Sequence, residues 1–284
     1  MTMLWLWLTL ASLAAFSSLN LLMRLLAVKS VNPRAFAFVY NAWGAIFSLI
    51  FFFLESVVQP VNTTLSPKSL VLLVLVIVLY GLYERLHFAV RKHVEVSTLA
   101  TIFRLSSAIA FLGSLIFLQE VVTIPKLVGA SLVIGASLWV IQNNSQVRLT
   151  RPVLLSFVCA TLLGLAWMLD KPASYGISAS LYSVLVWGLV LPVIAYPRLS
   201  LKDIMREMKI AKWNVVITTF LNAFGYVLMI KAYTLAEASR VIPIISASAV
   251  FSVLGGILIL GEREHLGRKI MASILAFVGI ILLG

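Results

Sequence analysis

The chain has 284 residues, of which 62% are hydrophobic and only 11% are charged. Because ordinary soluble domains are about 45–50% apolar, this composition excludes a soluble globular protein and predicts a helical protein that crosses a membrane several times. The formal net charge of +12 would suggest nucleic-acid binding in a soluble protein. Here the basic residues fall mainly between apolar runs, so membrane orientation explains them better and no nucleic-acid partner is expected.

Apolar runs follow one another along the chain, many of them near the roughly 20 residues that a helix needs to cross hydrocarbon. We predict ten membrane-spanning helices, at 3–28, 35–54, 69–91, 96–118, 127–142, 152–174, 178–196, 213–234, 238–260 and 270–283. The first run resembles a secretory signal but lacks a basic start, so we interpret it as a retained helix. The polar stretch 198–212, before the eighth span, is interpreted as an interfacial helix.

Lysines and arginines are unevenly shared between the two sides of this predicted membrane protein. The connections that follow the odd-numbered spans carry most of the 22 basic residues, whereas those that follow the even-numbered spans carry Lys68 and Lys126. The positive-inside rule therefore predicts that the odd-numbered connections face the cytoplasm and that both termini lie outside.

The fourth and fifth spans recur near the end of the chain. A shift of 142 positions aligns residues 95–131 with residues 237–273 without a gap. The matched pairs include Glu95 with Glu237, Gly113 with Gly255, and Glu120 with Glu262. This register predicts two repeats of five helices each, residues 1–147 and 148–284. Because five is odd, the repeats must enter the membrane from opposite sides, as the inverted repeats of secondary transporters do.

Two five-helix halves, each with a glutamate at the end of its fourth helix and a glycine in its fifth, resemble the EamA domains of the drug/metabolite transporter superfamily. The second half carries the clearer match, in Pro243, Leu260-Gly261-Glu262 and Gly279, whereas the first half has Thr101 and Gln119 in place of the proline and the motif glycine. The resemblance implies an all-α, ten-helix carrier that moves a small metabolite by alternating access, often as an exporter, without ATP. It also implies cytoplasmic termini. The distribution of Lys and Arg predicts the opposite orientation, and we adopt that prediction here.

Charged residues interrupt the third apolar run, in the sequence VLYGLYERLHF. Residues three and four positions apart share one face of a helix. The face predicted to be polar contains Tyr80, Tyr83, Glu84 and His87, while Arg85 points elsewhere. A charge facing lipid has a cost of several kcal/mol, from about 2.5 upward, so this face is expected to meet protein or water.

The repeat register places polar residues of the eighth span at matching heights, with Asn222 opposite Tyr80 and Tyr226 opposite Glu84. We therefore predict a polar substrate cavity shared by the two halves. Glu84 and His87 suit proton coupling, because a buried carboxylate and an imidazole titrate easily near neutral pH. A structural ion pair is the alternative.

Three further spans contain ionisable or polar side chains that we predict to bind substrate. These candidates are Asn20, Arg24, Arg104, Trp167, Asp170 and Lys171. Arg104, near the middle of the fourth span, is the natural partner of an anionic group. The alternatives are that Arg104 pairs with Glu84 or Asp170, that Asp170 neutralises Lys171, and that Arg24 reaches the lipid headgroups. The terminal glutamates of the fourth and ninth spans are interpreted as structural.

The predicted cavity contains three cations, Arg24, Arg104 and Lys171, and two carboxylates, Glu84 and Asp170. This balance favours a zwitterionic or anionic metabolite, such as an amino acid or an organic acid. Efflux of lipophilic cations is an alternative, although the small carriers with that activity use an acidic residue in the first span, which this chain lacks. A non-transporting scaffold is another alternative. We expect membrane lipids and protons as further partners, and a monomer or homodimer in the inner membrane of a bacterium or archaeon. No metal motif or nucleophile with its base is recognisable, so no enzyme, metal or cofactor is predicted.

Overall fold

The computed structural model describes residues 3–25, 30–58, 60–91, 93–94, 99, 102–141, 150–251, 255 and 266–283. These residues form ten α-helices and no β-structure beyond one isolated bridge. The helices are α1 (Leu4–Leu25), α2 (Pro33–Val58), α3 (Pro67–Arg91), α4 (Arg104–Phe117), α5 (Ile124–Ile141), α6 (Arg151–Ala173), α7 (Ala179–Ala195), α8 (Leu201–Tyr233), α9 (Ala238–Ser246) and α10 (Leu266–Leu283).

Each predicted span overlaps one of these helices, although several helices begin or end beyond the predicted bounds. Five of them, α1, α2, α3, α6 and α8, are long and apolar enough to cross a membrane, and the other five are shorter apolar helices within the described residues. Many large apolar side chains are exposed on the outside of the bundle, as expected for a surface that contacts lipid instead of water. The chain is therefore an integral, multi-pass membrane protein.

Helix α8 is broken at Lys212, whose backbone angles (φ 47°, ψ −138°) are not helical. The break separates residues 201–211 from residues 213–233, and the second part begins where the eighth span is predicted. A positive φ strains a residue that carries a Cβ atom. The predicted interfacial segment is thus a helix of its own, joined to the span at a strained residue.

The most extensive helix contacts join the first five helices to the last five. They are α5 with α10, α2 with α7, α1 with α8, and α3 with α6. If each helix of the first five is matched with the helix five places later, three of the contacts join matched helices: α2 with α7, α4 with α9, and α5 with α10. The matching also relates two further contacts to each other, because α1 corresponds to α6 and α3 corresponds to α8: these are α1 with α8 and α3 with α6. Gly129 and Gly279 bring α5 and α10 together so closely that a Cβ on either would lie within 2.8 Å of the other's carbonyl oxygen.

Side chains of the first half hold helix ends of the second half. Glu120 accepts hydrogen bonds from the main-chain N–H groups of Ala238 and Ser239, both at 2.8 Å, and so caps the N-terminus of α9. Arg34 donates to the carbonyls of Ile194 (2.7 Å) and Ala195 (2.5 Å), which end α7. The structural role predicted for Glu120 is confirmed, while Glu95 and Glu262 lie outside the described residues.

The bundle end that contains Glu120 is further closed by the connections α2–α3 and α6–α7. Thr63 and Ile177 form the antiparallel bridge, and the N–H of Ser178 donates to the carbonyl of Asn62 at 3.0 Å. We call this end, with the pairs Lys171–Glu120, Lys126–Glu237 and Lys231–Glu55, the ion-pair end. The opposite end holds the α1–α2 connection and residues 201–211.

Candidate functional site

Asp170 in α6 is fully buried and accepts hydrogen bonds from three tyrosines of three other helices. Its Oδ2 accepts from the hydroxyl of Tyr80 in α3 at 2.7 Å, and its Oδ1 accepts from Tyr182 in α7 at 2.8 Å and from Tyr226 in α8 at 2.9 Å. A carboxylate has enough lone pairs to accept all three. One acidic group therefore connects α3 of the first half with α6, α7 and α8 of the second.

Aromatic rings surround this carboxylate. Tyr226 lies edge-on to Tyr80 at 6.1 Å between centroids and edge-on to Trp187 at 6.2 Å, and it stacks with Tyr182 at 6.5 Å. The indole Nε1 of Trp187 is buried and has no hydrogen-bond partner in the described part of the chain. Such rings offer both hydroxyl groups and π faces to a bound molecule.

Glu84 and His87 form a second polar group, one to two turns further along α3. Their exposed fractions are 8% and 7%. Oε2 of Glu84 and Nδ1 of His87 are buried without a partner among the described residues. The imidazole stacks on the ring of Tyr83 at 4.7 Å. Because buried polar atoms are nearly always hydrogen-bonded, these two atoms are available to bind a polar group of a ligand or a proton.

The predicted stripe on α3 is thus confirmed as a buried face: Tyr80, Tyr83, Glu84 and His87 are all buried. The register matches Tyr226 with Glu84, but the structure instead brings Tyr226 to Tyr80, since both donate to Asp170. Asn222 instead donates from Nδ2 to the hydroxyl of Tyr40 in α2, at 2.9 Å.

Sequence reasoning missed Tyr182, although a signal for it exists. The shift of 142 that aligns the later spans also aligns Tyr40 in α2 with Tyr182 in α7. Both tyrosines are buried, and both hydrogen-bond a polar residue of the centre, Asn222 and Asp170 respectively. Extending the repeat register to the second and seventh spans would have identified the pair.

Arg104 is half-buried at the start of α4, and its Nη1 donates to the main-chain carbonyl of Ser246 in α9 at 3.2 Å. Its Nε has no hydrogen-bond partner in the described part of the chain. No ion pair joins Arg104 to Glu84 or Asp170, so the alternative in which it neutralises one of them is wrong. Phe103, the preceding residue, packs edge-on against His87, with 5.5 Å between the ring centroids.

Lys171 follows Asp170 in sequence but is engaged at the ion-pair end, where its Nζ lies 2.8 Å from Oε1 of Glu120. The alternative in which Asp170 neutralises Lys171 is therefore wrong, because Asp170 is held by tyrosines. Trp167 is half-buried, and its carbonyl accepts a long hydrogen bond from Tyr233 at 3.5 Å.

In the first span, Asn20 is half-buried, and the side chain of Arg24 lies outside the part that the structure describes. Within the described residues, no three His, Cys, Asp or Glu side chains are close enough to hold a metal ion. The centre therefore has the chemistry of a hydrogen-bonding site: two carboxylates, an imidazole and a guanidinium at its edge, lined by aromatic rings.

Residues 150–284 match the EamA-like transporter family. A crystal structure of another protein matches with a TM-score of 0.69 over 97% of this chain and 94% of that one, at 14% sequence identity. At such low identity the likeness concerns the fold alone. No curated protein matches this sequence.

Proposed function

Because the chain belongs through residues 150–284 to the EamA-like transporter family, part of the drug/metabolite transporter superfamily, we propose that it is a secondary carrier for a small zwitterionic metabolite such as an amino acid. The substrate binds at the interface of the halves, between Asp170 and Glu84 on one side and Arg104 on the other. The carrier works by alternating access, as an exporter.

The arrangement of ten spans in two inverted five-helix repeats is part of this proposal. Its support is the helix pairing, in which counterpart helices contact each other and the remaining large contacts occur in matched pairs. An odd number of spans per half then reverses the direction of the second half. Rocking one half against the other exposes the central residues first at one end and then at the other.

The main evidence for the site is Asp170, which is fully buried and accepts hydrogen bonds from tyrosines of both halves. A substrate ammonium group has a natural acceptor in the unpartnered Oε2 of Glu84 or, after displacing a tyrosine, in Asp170. The free N–H of Arg104 suits the carboxylate of the same molecule. With Lys171 held by Glu120, the centre offers fewer cations than a simple anion would need, so a zwitterion is favoured.

Glu84 and His87 are proposed to carry the coupling proton. Both are buried in α3 one turn apart, and each has an atom without a hydrogen-bond partner among the described residues, which can bind a proton or donate one. Movement of a proton between the two ends would then be linked to the rocking of the halves.

Efflux of cationic compounds is the second candidate. The specific observation in its favour is the aromatic box of Tyr80, Tyr182, Trp187 and Tyr226 around a carboxylate, since cations bind ring faces and acidic groups together.

Cation distribution supports cytoplasmic placement of the end opposite the ion-pair end. At the ion-pair end Lys126, Lys171, Lys231 and Arg240 are in ion pairs and Lys68 is exposed. At the other end Lys202, Arg206 and Lys209 are exposed. Labelling of Lys68→Cys and Lys209→Cys in intact cells tests this: the single native cysteine, Cys159, is buried, and only Lys68→Cys should react with a membrane-impermeant reagent.

The test of function is transport by the purified chain in liposomes, screened with amino acids, organic acids and organic cations, with and without a pH gradient. We expect counterflow of a zwitterion by the parent and by Lys68→Gln, an exposed control, and its loss in Asp170→Asn and Glu84→Gln. Glu84→Gln should also abolish any response to the pH gradient. Equal transport by all four proteins would refute the site, and transport of cations alone would favour the second candidate.

A further inference from the structure

Residues 201–211, the first part of α8, form a short helix with three different faces. One face points into the protein, one is exposed and apolar, and one is exposed and basic. With about 100° between successive residues, the basic face lies between the other two. This arrangement is independent of the transported substrate.

The inward face ties the segment to the first half. Glu207 is fully buried, and its Oε1 accepts the N–H groups of Val31 at 2.8 Å and Asn32 at 2.6 Å. One turn earlier, Asp203 accepts from the side-chain amide of Asn32 at 3.1 Å. Both carboxylates of the segment are thus engaged with the α1–α2 connection, on a different face from its cations.

The apolar face is open over its whole length. The exposed fractions of Leu201, Met205 and Met208 are 72%, 50% and 42%, and Trp213, just after the break at Lys212, is 74% exposed. An apolar face of this kind beside an exposed tryptophan is typical of a helix that lies in the interfacial layer of a bilayer.

The basic face consists of Lys202, Arg206 and Lys209, which are spaced by four and three residues and are all exposed. No ion pair neutralises any of them within the described chain. Met205 and Ile210 adjoin these cations on the open surface of the segment. Cationic groups beside apolar side chains suit a phospholipid, whose phosphate contacts the cations while its acyl chain contacts the apolar side chains. A free phosphate has no such chain.

We propose that residues 201–211 lie along the membrane surface and bind anionic phospholipid headgroups. Lys202, Arg206 and Lys209 contact the phosphates, while Leu201, Met205 and Trp213 enter the upper acyl region. The charge of this face is complementary to the anionic cytoplasmic leaflet, on the side where the positive-inside rule places it.

The purified full chain in detergent provides the test, with thermal unfolding measured during titration with phosphatidylglycerol, phosphatidylcholine of the same acyl chains, or inorganic phosphate. We expect phosphatidylglycerol to raise the Tm at the lowest concentration. Lys202→Gln/Arg206→Gln should need roughly 25-fold more of it, because each basic residue near an anionic surface accounts for about fivefold in affinity. Lys68→Gln/Arg151→Gln, which removes the same two charges at other exposed positions, should respond like the parent.

Three results would overturn the proposal: the same response in both double variants, equal effects of the two lipids, or saturation of the effect by inorganic phosphate, which would indicate a free-anion site. A second measurement does not depend on stability. A fluorophore on Met205→Cys in nanodiscs should be quenched most by lipids that carry the quencher high on the acyl chain. Absence of quenching by any lipid would place the segment in water and contradict the inference.

Discussion

Arg104 donates a hydrogen bond to the carbonyl of Ser246, and the two residues are 142 positions apart, the same separation that aligns the two halves. In a two-fold arrangement, a residue can contact its own counterpart only near the axis. If the halves have the proposed two-fold arrangement, Arg104 lies near its axis; its Nε has no hydrogen-bond partner among the described residues.

Arg104→Met is expected to leave the Tm unchanged or to raise it, while abolishing transport. Among the described residues the guanidinium donates one hydrogen bond, to a carbonyl, and has a buried N–H without a partner. An apolar side chain of similar length therefore removes a desolvation penalty. Thermal unfolding in detergent and counterflow in liposomes measure the two effects. A clear fall in Tm together with retained transport would show that the arginine is structural.

At the Asp170 centre, we expect Asp170→Ala to destabilise more than Asp170→Asn. Alanine leaves three tyrosine hydroxyls without their acceptor, whereas asparagine keeps the oxygen that Tyr182 and Tyr226 use and offers an amide to Tyr80. Each single Tyr→Phe change should lower the free energy of unfolding by about 1.5–3 kcal/mol, the range for hydrogen bonds to charged groups. Unfolding in a detergent titration gives the order, and equal losses for Asp170→Ala and Asp170→Asn would contradict it.

Gly44→Ala should destabilise the contact between α2 and α7. A Cβ at Gly44 would lie 2.3 Å from the ring of Trp187, which is itself packed between Tyr40 and Tyr226. Overpacking of this kind usually has a cost of about 1–3 kcal/mol. Gly188→Ala is the matched control, because no described residue lies within 4 Å of its added Cβ. It should be neutral or slightly stabilising in a helix. The Tm values of the two variants decide the matter.

The pair Lys171–Glu120 should show a larger coupling energy than Lys231–Glu55. The first pair is 12% and 5% exposed with its atoms 2.8 Å apart, whereas the second is 43% and 14% exposed at 3.6 Å. Double-mutant cycles with Lys→Met and Glu→Gln changes should give about 1–3 kcal/mol for the first pair and about 0–1 for the second. Similar values for both would mean that burial at the ion-pair end is unimportant.

Lowering the pH should reduce the stability of the folded protein partly through protonation of Glu237, which precedes α9. Burial alone would raise the pKa of Glu237. The hydrogen bonds from Lys126 and from the N–H of Val121, with the charges of Lys126 and Arg240, outweigh burial and lower the pKa below its ordinary 4.5. A carboxyl with a lowered pKa in the folded state stabilises above its unfolded pKa, and this contribution disappears as the pH falls through the folded value.

The Tm of the parent should therefore fall more steeply than that of Glu237→Gln as the pH is lowered from about 5 towards 3. Lys126→Met, which removes the largest stabilising partner, should reduce the same slope. Parallel curves for parent and Glu237→Gln would show that this carboxyl does not contribute.

Hydropathy and spacing predicted the order of helices and the buried face of α3, because burial of apolar surface and the 3.6-residue period determine both locally. The partners of Asp170 were not predictable in the same way, since Tyr80, Tyr182 and Tyr226 come from three helices whose packing no local pattern specifies. Lys171 shows the same limit: its neighbour in sequence is buried in the centre, while its own side chain extends to Glu120 on another helix. The sequence gives the number of these charged residues, but it does not show which of them lie together in the site.

The caps that cross between the halves have a consequence for biogenesis. During translation, Glu120 and Arg34 are synthesised before the ends of α7 and α9 to which they hydrogen-bond. Residues 1–147 expressed alone would expose these charges to lipid, and residues 148–284 alone would leave the ends of α7 and α9 unsatisfied. These caps can therefore form only after the second half has been synthesised and has packed against the first.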